Sequence, residues 1–168
     1  PPTFGRTLDR QTIAKVLNLE VKDIDNRFPI QEVSTGIPFV IVPLKKLDAV
    51  KRARIDRAKQ LELARSGSAD ILVFSPETYK KDNNLNVRVF VDLLGIPEDP
   101  ATGSANGCLA GYLCRYNYFG NDKINIRVEQ GYEIMRPSLL RLKAERQKDR
   151  IDVHVGGQAT LVASGKLE

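Results

Sequence analysis

Residues 104–116 read SANGCLAGYLCRY, and they constrain the fold more than any other stretch. Ala105, Gly107, Cys108, Leu109, Ala110, Gly111, Leu113 and Cys114 leave the segment without a polar face until Arg115. A helix that is apolar all round has to be buried all round. A chain of 168 residues is long enough for one domain with a real core. The segment therefore predicts a helix running through that core. Gly107 and Gly111 stand four apart, so one side of the helix is nearly bare backbone and admits a close neighbour. Each glycine costs roughly 0.5–1 kcal/mol against alanine inside a helix, so the pair signals a packing need.

The approach to this helix, GIPEDPATG at 95–103, carries the chemistry. Pro97 and Pro100 push the residues before them out of the helical region and keep the chain extended. The helix can then start at Gly103 or Ser104. Its first N–H groups have no partner within the helix, and the aligned peptide dipoles add partial positive charge there. A carboxylate or phosphate is readily held at such a tip. The candidate binding residues are Thr102, Gly103, Ser104 and Ala105, and the candidate catalytic residues are Asp99 and Ser104. Asp99 stands beside the tip, where it can exchange a proton with a bound molecule. The same residues also fit a plain turn, with Asp99 and Thr102 as caps. Glu98 reads as a structural partner. Arg88 reads either as the group that orients Asp99 or binds substrate, or as a surface residue.

Elsewhere the pattern is mixed. Residues 9–18 predict a short helix capped by Thr7 or Asp9, with Ile13, Val16 and Leu17 on one face. Residues 37–44 are a continuous apolar, β-branched run, the mark of a buried strand, and 71–75 read as another buried strand. Residues 56–66 predict a helix with Ala58, Leu61 and Ala64 inward, stopped at Gly67. Residues 86–92, 124–129, 138–144, 151–155 and 159–164 read as strands, with Gly156-Gly157 turning the last two into a hairpin. Strands outnumber helices without alternating with them, which favours an α+β domain.

The net charge is +5, from basic clusters at 45–57 and 136–150 that acidic residues interrupt. No nucleic-acid motif accompanies them, so they read as solvated faces and no nucleic-acid partner is expected. No apolar run approaches a membrane span, so no membrane is expected either. Cys108 and Cys114 share one helix on different faces and cannot pair; as free core thiols they fit a reducing cytoplasm. His154 alternates with Val153 and Val155 and points to solvent. With a single histidine and neither a CxxC nor an HExxH pattern, no metal is expected. No GxGxxG or P-loop points to a nucleotide cofactor. Ser34-Thr35-Gly36 reads as a strand-entry turn that could also line a cleft.

EDPATGSA at 98–105 resembles the signature of the phenazine-biosynthesis isomerase-like (PhzF-like) proteins, which share the diaminopimelate epimerase fold. STGIPFVIVPL, NVRVF, EQGYEIMRPS and the closing VGGQATLVASGKL extend the likeness in the same order along the chain. The resemblance implies a curved mixed β-sheet or barrel wrapped around one central buried helix. It implies that residues 1–168 form the C-terminal half of a two-domain protein, with 1–8 as the crossover between halves. It implies a cleft between the halves faced by Asp99 and the Gly103 and Ser104 amides, a catalytic glutamate and a histidine supplied by the N-terminal half, and a homodimer. Val16 takes the place that the first half gives to its glutamate, which argues against Glu20 as a base. Thr102 takes the place of the epimerases' second-half cysteine. A hydroxyl titrates far above neutral pH and carries protons poorly, so a two-cysteine racemase mechanism is not expected.

Two functions of different class follow. One is half of a cofactor-independent isomerase or epimerase acting by proton transfer on a small carboxylate-bearing metabolite. The other is a non-catalytic small-anion-binding or interaction domain that keeps the pocket at the helix start.

Overall fold

The computed structural model describes residues 1–91 and 95–166. β1 (Thr3–Leu8), β2 (Ile30–Ser34) and β3 (Pro38–Pro43) pair antiparallel in succession. The chain then crosses over through α2 (Leu47–Arg52) and α3 (Arg57–Ala64) to β4 (Ile71–Ser75), which lies parallel to β3. β5 (Leu85–Val91) returns antiparallel to β4. β7 (Lys123–Gln130), β8 (Ser138–Gln147) and β9 (Arg150–Gly157) complete a mixed sheet of order β1-β2-β3-β4-β5-β7-β8-β9. β6 (Ile96–Asp99) pairs with β5 alone.

β4 and β5 are buried along their whole length because both faces are covered. Successive side chains of a strand point to opposite faces, so Leu72 and Phe74 of β4 enter one core and Ile71 and Val73 the other. The second core is closed by α1 (Arg10–Val16), α2 and α3, through residues such as Ile13, Val50 and Leu63. The first is filled by α4 (Gly103–Arg115), whose residues Ala105 to Cys114 are all buried. α4 touches β2 and β3 from one arm of the sheet and β7, β8 and β9 from the other, so the sheet curls over it. Full burial of Leu109 and Leu113 contributes about 1.5–3 kcal/mol each. The two helix glycines meet their neighbours at contact distance. A Cβ on Gly111 would sit 2.6 Å from Pro2 Cγ, and one on Gly107 would sit 3.3 Å from Thr35 Oγ1.

Some sequence expectations need correction. In α3 Gln60 and Leu63 are buried and Ala64 packs against the same core as expected, while Ala58 and Leu61 are exposed, so the buried face is rotated from the expected one. Gln60 goes inside because its Nε2 donates to Ala69 O at 3.0 Å. The β8–β9 hairpin turns at Lys148-Asp149, between the paired Gln147 and Arg150, and Gly156-Gly157 lie within β9. Residues 159–164 form no strand and are exposed, with no neighbouring strand to pair them. Of the strand expected at 86–92, Asp92 lies outside the described residues. β1, β2, α2 and β6 are additions to the sequence reading. Among the described residues no helix is long and apolar enough to cross a membrane.

Candidate functional site

The site arises where the sheet splits. Leu85, Asn86 and Val87 of β5 pair in parallel with Val128, Glu129 and Gln130 of β7. Further along the same strand, Val89 and Val91 pair instead with Asp99 and Ile96 of β6. β6 therefore takes over the edge that β7 leaves, and residues 100–102 turn out of the sheet into α4.

Thr102 is the N-cap by position, with extended φ −98° and ψ 99°, yet its side chain does not cap the helix. Its hydroxyl donates instead to Asp99 Oδ2 at 2.6 Å. The fully buried Gln130 fastens the loop from β7. Its Nε2 donates to Asp99 O at 2.7 Å and to Thr102 Oγ1 at 3.0 Å, and its Oε1 accepts from Thr102 N at 3.3 Å. Asn106, one turn into the helix, donates to Gln130 Oε1 at 2.8 Å and to Thr102 O at 2.9 Å. Next to Gln130, Gly131 has φ +81°, and a Cβ there would sit 2.9 Å from Pro100 O, so only glycine admits the loop this close.

The predicted residues thus divide. Asp99 is part-buried and oriented by Thr102. Thr102, expected to bind substrate, has its hydroxyl on Asp99 Oδ2 and its N–H on Gln130 Oε1. Gly103 is exposed, and a Cβ on it would meet nothing within 4 Å, so the tip opens to space. Ser104 is half-buried, and Ala105 is fully buried. The N–H groups of these three have no partner among the described residues, as the first turn of a helix dictates. The Ser34–Gly36 turn lies over the same end of α4. Thr35 Oγ1 donates to Ser104 O at 3.3 Å and lies 3.6 Å from Cys108 Sγ. Burial pushes the Cys108 and Cys114 thiols above their ordinary range, which suits core residues and not proton carriers.

Arg88 is buried, not on the surface, and it holds Glu98 and not Asp99. Its Nε and Nη2 grip the Glu98 carboxylate at 3.0 and 2.7 Å, and its Nη1 donates to Val50 O and Ala53 O at 2.9 Å each. The pairing role read for Glu98 therefore holds. Another buried carboxylate, Glu129, accepts from Tyr79 N, Lys80 N, Asn83 Nδ2 and Asn86 Nδ2, which anchors a loop and leaves no oxygen idle. Glu20 is exposed and helps to cap the short 3₁₀ turn at Val21–Asp23. Among the described residues no group of three His, Cys, Asp or Glu side chains could hold a metal ion.

Sequence reading missed Gln130 and Asn106. Nothing local marks Gln130, which reaches Thr102 across 28 residues of chain. Asn106 carried one signal, a polar side chain in an otherwise apolar helix.

The family model for phenazine biosynthesis-like proteins (PhzC-PhzF) matches residues 1–165. The chain belongs to this family. It is 33% identical over 173 residues to an uncharacterized isomerase of Mesorhizobium japonicum, covering 99% of this chain and 57% of that protein. It is 30% identical over 146 residues to the trans-2,3-dihydro-3-hydroxyanthranilate isomerase of Pseudomonas fluorescens, covering 85% of this chain and 49% of that one. The crystal structure of a PhzF-family phenazine biosynthesis protein from Bacillus anthracis superposes with a TM-score of 0.81 at 28% identity, over 93% of this chain and 54% of that one. This PhzF-like chain therefore spans about half the length of the relatives it matches, and the Mesorhizobium and Pseudomonas relatives are named as isomerases.

Proposed function

We propose that this chain forms one wall of an isomerase site that moves a proton on a small carboxylate-bearing metabolite. The observation that carries the reading is the open end of α4. The N–H groups of Gly103, Ser104 and Ala105 are unpartnered there and Gly103 opens to space, beside Asp99, whose carboxylate accepts from Thr102 and whose backbone carbonyl accepts from Gln130. Those amides, with the Ser104 hydroxyl, hold the substrate carboxylate or an oxyanion that develops from it. Asp99 delivers or receives a proton, or orients an amine or hydroxyl of the substrate. A base on the complementary half removes a proton from carbon. Returning it to another carbon, or to the opposite face, leaves the composition unchanged, as an isomerisation requires.

The reading extends to the whole protein. Residues 1–168 form its C-terminal half, of the diaminopimelate epimerase type, with α4 as the central helix and 1–8 as the crossover. The N-terminal half closes the cleft, two copies assemble as a dimer, and the protein works in the cytoplasm. The relative named for trans-2,3-dihydro-3-hydroxyanthranilate supports a carboxylate bearing an amine and a hydroxyl as the substrate class.

The test is solvent exchange in the complete protein. Candidate amino and hydroxy carboxylates, that dihydro-hydroxyanthranilate among them, are incubated in heavy water and read by mass spectrometry. Deuterium entering carbon with the wild type and not with Asp99→Asn supports the isomerase. Binding without exchange by the wild type makes the domain an anion-binding module and defeats the proposal.

A further inference from the structure

β6 separates two spaces. Asp99 serves the tip of α4, whereas Glu98, the preceding residue, projects to the other side of the strand and meets Arg88. On that side lies a hollow of about 490 Å³, lined in part by Arg54, Ile55, Phe90, Pro97, Arg136 and the Arg88–Glu98 pair. Its size falls in the usual range for small-ligand sites, about 300–1,000 Å³.

The lining grades from apolar and buried to cationic and exposed. Phe90 and Arg88 are each 4% exposed and form the inner part, with Arg88 4.7 Å from the Phe90 ring. Arg88 and Glu98 satisfy each other, and the remaining Arg88 nitrogen is taken by the carbonyls of α2 and its end. The inner pair therefore offers no idle donor, and the buried Glu133 Oε2, 4.0 Å from Arg88 Nε, adds a negative charge beside it, so the donors open to an anion are those of the mouth. Arg54 and Arg136 are exposed and stand at the mouth. The Arg136 guanidinium has no partner among the described residues. Among the described residues Arg54 gives only Nη1, to Lys51 O and Ala53 O at 2.8 Å each. Guanidinium groups with free donors bind carboxylates and phosphates in a fork, and an apolar interior favours a carbon body over a hydrated ion.

We infer that this hollow is a second ligand site, for a carboxylate or phosphate monoester carried on an apolar or aromatic body. It stands apart from the tip of α4 and rests on different residues. The probes are phenyl phosphate, benzoate and, as a neutral control, benzyl alcohol, titrated into the complete protein by calorimetry. At least one anion is expected to bind saturably, and the better of the two identifies the headgroup. Benzyl alcohol should bind at least roughly tenfold more weakly, and Arg136→Ala should weaken the anion by roughly tenfold or more. Arg136 is exposed, so this variant keeps the fold, which circular dichroism checks. Asp99→Asn should leave the affinity unchanged. The inference is overturned by absence of saturable binding of both anions, by affinities that Arg136→Ala and Arg54→Ala leave alike, or by loss of binding in Asp99→Asn alone.

Discussion

Replacing Gln130 with alanine removes the side chain that ties β7 to the loop before α4. Thr102 Oγ1 keeps Asp99, and Asn106 Nδ2 keeps Thr102 O, so those two groups stay partnered. Thr102 N loses the Gln130 acceptor, and Asp99 O loses a donor at 2.7 Å. Each buried polar group left short costs about 1–3 kcal/mol, so the variant is expected to lose about 3 kcal/mol. In a domain of this size each kcal/mol shifts the melting temperature by about 2–4 °C, which predicts a fall of roughly 6–12 °C. Gln130→Glu keeps the shape but turns the Nε2 donor into an acceptor facing Asp99 O and Thr102 Oγ1, so it should lose at least as much. Scanning calorimetry of wild type and both variants in one buffer reads the effect. A fall under about 2 °C for both would show that the Gln130 bridge does not hold the site together.

Other perturbations probe the supports of the same site. Gly111→Ala would place a methyl 2.6 Å from Pro2 Cγ, and overpacking of this kind costs about 1–3 kcal/mol, whereas Gly107→Ala, at 3.3 Å from Thr35 Oγ1, should be close to neutral by thermal melting. Arg88→Met strands the buried Glu98 carboxylate and should cost about 3–5 kcal/mol in urea unfolding, with Arg88→Lys failing to restore the two-pronged grip. Hydrogen bonds from Arg27 hold the buried Asp25 carboxyl below its ordinary 3.8, so its contribution is complete above that value and fades as pH falls through the lowered folded-state value. Asp25→Asn should therefore flatten the loss of stability with acid below pH 3.8, measured by melting temperature against pH.

What could be read from the sequence was what a local stretch dictates by itself. The burial of α4 followed from its having no polar face, and the extended entry to Gly103 followed from two prolines. β4 was legible because the four apolar residues Ile71 to Phe74 in succession leave no face for water. Elements defined by distant partners were not legible. Gln130, Asn106 and the choice of Glu98 over Asp99 by Arg88 depend on β6 and β7 meeting β5 from the same edge. The Gly156-Gly157 turn signal lost to pairing, because the two glycines lie opposite Arg141 and Leu140 of β8 and continue β9. The apolar residues of 159–164 looked like a strand, but a strand needs a paired edge.

Carboxylate binding at the start of α4 is the step on which the proposed chemistry stands. Backbone ¹⁵N–¹H shifts of the complete protein, followed while 2-aminobenzoate is added, test that directly. The largest saturable changes are predicted at Gly103, Ser104 and Ala105, with smaller ones at Asp99 and Thr35. Unmoved amides at Gly103 and Ser104, in a titration that shifts residues elsewhere or none at all, would contradict it.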